Sequence, residues 1–199
     1  MTAAEQPRLS VADYFRAEES AEIKHEFHHG ELFAMSGASA IHNLIVSNLI
    51  TRLNNALEDR DCFVFPGDIK VEVDPAKHYA YPDVSVVCGE IEFARNRNDV
   101  IANPTVVFEV LSRSTSDYDR GGKFRAYRRI GSLRDYILVD QYTVSVEHFH
   151  RETDGRWVLS DHEGEGSVLR IGSLGVELPL SRIYHRVDSI RPDRAGSTP

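Results

Sequence analysis

The sequence predicts a mixed α/β domain: a central mixed β-sheet flanked by helices, with additional antiparallel hairpins. Three observations carry that prediction. A long amphipathic helical stripe occupies the first third of the chain, short apolar β-branched runs follow it, and a second helical segment interrupts those runs. The chain has 199 residues, 41% of them apolar. That length allows roughly 70% of the unfolded surface to be buried in one core, and the composition excludes collagen, coiled coil and wholesale disorder. The expected organisation is one domain over residues 1–190 and a disordered tail over 191–199.

The elements follow in order. Ser10 opens a short helix through a capping box in which Asp13 reaches back to the cap, and the helix ends near Glu19. Residues 24–30 and 31–35 read as two short strands that turn at His29-Gly30. The longest helix runs over about 39–59, with Ile41, Ile45, Leu49 and Leu53 on one stripe. Strand patterns then appear at 62–65, 68–73, 83–88 and 105–111, separated by Pro66-Gly67, Asp74-Pro75 and a polar stretch around 95–103. A second helix is expected over about 119–130, stopped by Gly131. A hairpin of 135–140 with 143–151 comes next, and Asp154-Gly155 turns the chain into 157–160. Short strands at 168–171 and 176–178 and a helical turn near 180–184 complete the series.

Cys62 and Cys88 are the two cysteines. Each sits among strand-like apolar residues, and the expectation is a pair of reduced thiols packed as small hydrophobes in a cytoplasmic protein. The first ten residues have neither a basic start nor an apolar run, and no segment reaches the length of a membrane span. Thirty-one acidic residues against 23 basic ones give a formal charge of -8, which argues against broad nucleic-acid affinity. The basic residues are unevenly distributed, however. Between Arg113 and Arg134 there are Arg113, Arg120, Lys123, Arg125, Arg128, Arg129 and Arg134 against Asp117 and Asp119, a window that could face phosphate.

The chemistry concentrates in two strands. Tyr81-Pro82-Asp83-Val84 and Phe108-Glu109-Val110-Leu111 each place a carboxylate among residues that are otherwise apolar. A buried, unpaired carboxylate costs several kcal/mol, so Glu109 calls for a cation nearby. If the two carboxylates approach to about 4 Å, their repulsion is about 4 kcal/mol at an effective dielectric near 20, unless a lysine or a divalent metal intervenes. Lys123 is one of four lysines in the chain and follows Gly121-Gly122 at the expected helix start, from which it could return to the carboxylates. His28 and His29 point to opposite sides of a strand and cannot share a metal. His148 and His150 share a face but show no third ligand nearby, so a solvent-facing hairpin strand is the expectation for them.

Together, Pro82-Asp83, Glu109-Val110-Leu111-Ser112, Asp119-Arg120-Gly121-Gly122-Lys123-Phe124 with Tyr127, and Asp135-Tyr136-Ile137-Leu138-Val139-Asp140 resemble the bacterial Uma-type restriction-endonuclease family of the PD-(D/E)xK nuclease superfamily. The likeness runs from about Ser10 to Val187. It implies a restriction-endonuclease-like core with its metal site where the Asp83 and Glu109 strands diverge. The residue two after Glu109 is Leu111, and the resemblance assigns the missing lysine's role to Lys123. Glu31 corresponds to the upstream glutamate, with Glu26 as its rival, and Asp68 and His42 are candidate supporting residues. The implied activity is hydrolysis of DNA phosphodiesters by a metal-activated water. Asp83 and Glu109 would hold Mg²⁺, or Mn²⁺ in its place, and Arg113, Arg120, Arg125 and Arg128 would hold the nucleic-acid backbone. RNA is a second candidate substrate, and a homodimer would allow both strands to be cut. The competing reading is a catalytically silent nuclease-fold module that binds nucleic acid or a second copy of itself.

Overall fold

A computed structural model describes residues 8–35 and 37–191. Helix α1 (Val11–Glu18) is capped as the sequence suggests: Asp13 N donates to Ser10 Oγ at 3.1 Å and Ser10 N donates to Asp13 Oδ2 at 3.3 Å. Its Tyr14 and Phe15 pack with Phe27 and Tyr79 into an aromatic cluster. Strands β1 (His25–His28) and β2 (Glu31–Ala34) turn through His29 and Gly30, both at positive φ. Helix α2 (Ala40–Ala56) is capped by Ser39 and buries Ile45, Leu49 and Leu53 on one stripe.

The remaining strands are β3 (Cys62–Pro66), β4 (Lys70–Asp74), β5 (His78–Ala80), β6 (Val84–Cys88), β7 (Val100–Ile101), β8 (Val106–Leu111), β9 (Asp135–Asp140), β10 (Ser145–Arg151), β11 (Trp157–Glu163), β12 (Val168–Ile171) and β13 (Val176–Pro179). They form a five-stranded sheet ordered β2-β1-β5-β4-β7, a six-stranded sheet ordered β11-β10-β9-β8-β6-β3, and the separate hairpin β12-β13. Pairs β4/β7 and β8/β9 are parallel and the others antiparallel, so both larger sheets are mixed.

One face of the six-stranded sheet packs on α2, the β12-β13 hairpin and the short helix α5 (Leu180–Ile183). On the other face, Val107, Leu111, Tyr136 and Leu138 meet Val71, Val73 and Ala80 of the five-stranded sheet. Glu109 lies on that second face because it alternates with Val107 and Leu111. Central strands β8 and β9 are buried along almost their whole length, as expected of strands covered on both sides.

Several expectations need correction. Strands β5 and β7 were not anticipated, and β7 lies within the stretch expected to be a polar connection. The second helical run begins earlier, as α3 (Ser116–Tyr118), continues through a π-turn at Asp119–Lys123, and ends as α4 (Phe124–Tyr127). Gly121 and Gly122 therefore lie inside the turn and do not precede the helix. Arg191 is not part of a free tail: it donates to Tyr142 O at 2.5 Å and pairs with Asp188 at 3.2 Å. The other residues of the expected tail, 192–199, lie outside the described residues. Among the described residues no helix is long and apolar enough to cross a membrane.

The two cysteines are not free thiols but a disulfide. Strands β3 and β6 are antiparallel neighbours whose register sets Cys62 directly opposite Cys88, with Cα atoms 4.0 Å apart. Sequence spacing alone carries no information about that register. The bond ties an edge strand to the strand that Asp83 precedes, across a separation of 26 residues. Reduction, or the Cys62→Ala/Cys88→Ala double substitution, should lower unfolding free energy by about 2–4 kcal/mol. Urea denaturation with and without reductant measures this, and coincident curves would show that the bond contributes nothing.

Candidate active site

The chain crosses between the two large sheets through very short connections, and these crossings build the site. Residues Tyr81, Pro82 and Asp83 carry it from β5 to β6. Pro82 holds the preceding residue extended, so the chain enters β6 without a helical turn and Asp83 sits at the sheet margin. Strand β6 pairs with β8, with Val84 opposite Phe108. Asp83 Oδ2 consequently reaches past the end of that ladder to accept Val110 N–H at 2.7 Å. The same oxygen lies 3.1 Å from His42 Nε2, supplied by α2.

Glu109 is 4% exposed and Lys123 7% exposed. Lys123 Nζ lies 3.1 Å from Glu109 Oε1, 3.0 Å from Glu26 Oε1 and 3.4 Å from Asp119 Oδ1. One ammonium thus joins β1 of the first sheet, β8 of the second and the π-turn that bears the lysine. A π-turn widens the helix locally, and here it brings both Asp119 and Lys123 inward. Gly122 is needed for the packing of this turn: a Cβ there would stand 2.5 Å from the Tyr118 ring. Tyr127 OH donates to Glu109 Oε1 at 3.4 Å.

Glu26, Asp83, Glu109, Asp119 and Lys123 line a cavity of about 820 Å³, together with Phe33, Ser39, His42, Tyr118, Gln141 and Tyr142. Its electrostatics are strongly acidic: Glu26, Asp83, Glu109 and Asp119 all line it, and Lys123 is the buried cation among them. Burial pushes the Glu109 carboxyl well above its ordinary range; Lys123 opposes that shift, and Asp119, Asp83 and Glu26 reinforce it. Burial likewise raises Asp119. Burial disfavours the charged form of Lys123, but Glu109, Glu26, Tyr127 and Asp119 outweigh that and hold its pKa well above the usual value.

The structure brings Asp83, Glu109 and Lys123 to one cavity. Glu31 does not join them. It is exposed on the edge strand β2, opposite His28, and is not among the cavity residues. Glu26, its rival, occupies the place beside Lys123. Asp68 is also elsewhere, exposed and paired with Lys24. Of the four arginines expected to hold phosphate, Arg113 lines the cavity, with its guanidinium 5.1 Å from the centre of the Tyr142 ring. Arg120 is bound to Glu147 at 2.7 Å, while Arg125 and Arg128 are exposed on and just after α4, away from the cavity lining.

Asp119 and Gln141 were missed as site residues. Gln141 donates to Leu111 O at 2.8 Å and accepts from Ser39 Oγ at 2.6 Å, fixing the cavity wall. Asp119 could have been found as the residue four before Lys123, where an acidic side chain faces a lysine on a helix. The expectation for His148 and His150 also fails: Asp135 lies between them, at 2.6 and 2.8 Å, and His148 is buried.

The arrangement fits a hard divalent cation. Its donors are carboxylate oxygens, they are held by neighbouring hydrogen bonds, and the surrounding acidic groups are underneutralised by one lysine. Asp83 and Glu109 are the carboxylates of this cavity that could hold such an ion.

Fold and cavity together define a mixed α/β protein of two mixed sheets with one acidic, lysine-bearing site. The chain belongs to the Uma2 family, described as "Putative restriction endonuclease", which matches residues 11–181. Two proteins of Synechocystis sp., slr1290 and sll1609, both described as uncharacterized, are similar to it. The first is 36% identical over 89% of this chain and 92% of its own length, and the second 35% identical over 84% and 95%. A crystal structure described as a putative nuclease belonging to DUF820, from Anabaena variabilis, aligns with a TM-score of 0.70. It covers 88% of this chain and 97% of its own at 17% identity, a likeness of fold.

The raised carboxyls make a pH prediction. A carboxyl that titrates higher folded than unfolded binds protons preferentially in the native state, so its contribution is present at low pH and lost as pH rises. The metal-free protein should therefore lose stability as pH climbs from the ordinary Glu value of 4.5 through the raised value of Glu109. In Glu109→Gln the loss should be smaller. Urea midpoints measured between about pH 5 and 8.5 test this, and equal slopes for both proteins would contradict it.

Proposed function

We propose that this protein is a metal-dependent endonuclease that hydrolyses phosphodiester bonds of DNA, with Asp83, Glu109 and Lys123 as its catalytic residues and Glu26 completing the acidic wall. The observation that carries this reading is the burial of one lysine among carboxylates from both sheets, beside a cavity that Asp83 and Glu109 also line. A structural ion pair needs one partner, and a buried pair is seldom worth its desolvation cost. A lysine with three acidic neighbours at a cavity suits a site that must manage phosphate charge.

A bound divalent cation supplies Lewis acidity toward the phosphate and lowers the pKa of water. Asp83 and Glu109 would hold such a cation through their carboxylate oxygens. Val110 N–H and His42 fix the orientation of Asp83, so little side-chain entropy remains to be lost on binding. Lys123, kept protonated by its acidic neighbours, would turn the N–H now given to Glu109 toward a non-bridging phosphate oxygen as negative charge grows there. Glu26 and Asp119 hold the ammonium in place meanwhile. Arg113 at the rim offers a further phosphate contact, and Tyr118, Tyr142 and Phe33, all partly exposed, provide faces on which bases could stack.

Incubation of the purified protein with supercoiled plasmid and Mg²⁺ or Mn²⁺ tests the reading. Wild type should nick the plasmid, Asp83→Asn should abolish nicking, and Lys123→Met should lower the rate by about 10²–10³-fold, with circular dichroism verifying that each variant is folded. Equal nicking by all three, or binding of DNA by folded wild type without any cleavage, would reject it.

A further inference from the structure

A second constellation lies on the opposite face of the six-stranded sheet and has no part in the proposed nuclease chemistry. Asp135 is the first residue of β9, and Ile137 and Val139, which alternate with it, pack into the α2 side of the core. Glu109, by contrast, alternates with Val107 and Leu111 on the other side. Along the parallel β8/β9 pair the two groups are also offset, since Asp135 is opposite Val106 at the start of the ladder and Glu109 is opposite Leu138 further along it. The two centres are separate.

The β-hairpin builds this constellation directly. Residues two apart on a strand share a face, so His148 and His150 of β10 point the same way. The β9/β10 register sets Asp135 opposite His150, and adjacent strands lie about 4.8 Å apart. The result is His148 Nε2 at 2.6 Å and His150 Nδ1 at 2.8 Å from a single oxygen, Asp135 Oδ1. The three ligand atoms all lie within 4.8 Å of one another. Asp135 is fully buried and His148 6% exposed, whereas the His150 side chain is 36% exposed and leaves a route from solvent. Ser173 Oγ, from the turn between β12 and β13, donates to the other carboxylate oxygen, Asp135 Oδ2. Such outer contacts fix a ligating carboxylate.

A third imidazole is close by. His162 of β11 has its ring centre 6.2 Å from that of His148, and its buried Nε2 has no hydrogen-bond partner.

We propose that Asp135, His148 and His150 form a Zn²⁺ site. Two imidazole nitrogens and one carboxylate oxygen are the donor set that a borderline cation takes in preference to Mg²⁺ or Ca²⁺. Binding replaces the two imidazole–carboxylate contacts with nitrogen–metal bonds, and each neutral ring carries its proton on the nitrogen turned away from the ion. The ion would join β9 to β10 through Asp135, His148 and His150, with its remaining position open to solvent on the His150 side.

The test uses the full chain carrying Asp83→Asn, stripped with chelator, so that the acidic cavity is compromised as a competing site. Calorimetric titration with ZnCl₂ should give one ion per chain and a raised thermal midpoint. Co²⁺ in place of Zn²⁺ should give the intense visible bands of a low-coordinate centre. Adding His150→Ala, at a partly exposed position chosen to preserve the fold, should weaken Zn²⁺ binding about 100-fold, and His148→Gln should do the same. Absence of stoichiometric binding, or equal affinity in folded His150→Ala protein, would overturn the proposal.

Discussion

The buried ammonium of Lys123 is the interaction on which the active centre and the join between the two sheets both depend. It draws together Glu26 from one sheet, Glu109 from the other and Asp119 from the intervening π-turn. The apolar contacts between the sheets supply the bulk of the packing energy, but they do not specify how the acidic edges approach. Without a cation, three carboxylates sharing this volume would repel one another by several kcal/mol. With it they become a fixed wall. The same wall leaves the cavity short of positive charge, a condition suited to recruiting a divalent ion.

Topology explains why the site stands where it does. The chain passes from the five-stranded to the six-stranded sheet between β5 and β6, returns to β7, and passes over again between β7 and β8. The two passages into the six-stranded sheet deliver the neighbouring strands β6 and β8, and Asp83 lies at the first of them. Strands β6 and β8 then separate beyond their short ladder, leaving Val110 N–H free to bind the Asp83 carboxylate. The helical run after β8 returns Lys123 over the sheet, and Tyr127 and Phe124 anchor it in the same core.

Much of this was legible in the chain. The largely apolar runs Val84–Cys88 and Val106–Leu111 identify strands covered on both faces, and a lone Glu109 within one of them announces a buried partner. Strands β5 and β7 escaped because three and two residues are too short to show a period. The choice between Glu26 and Glu31 could not be made from alternation. Glu26 opposes Phe33 and Glu31 opposes His28, so both glutamates share one face of the hairpin. Only the strand order, which makes β2 an edge and seats β1 inside, separates them. The disulfide and the Asp135–His148–His150 group escaped for a related reason: each is a matter of cross-strand register, which the local sequence around a cysteine or histidine does not encode.

The most direct test of the central claim is anomalous diffraction from crystals soaked in Mn²⁺. The account predicts a peak bound by oxygens of both Asp83 and Glu109, at about 2.0–2.2 Å, with the Lys123 ammonium still seated between Glu26 and Asp119. A saturated crystal with no peak at that position, or with Lys123 turned out to solvent, would contradict it.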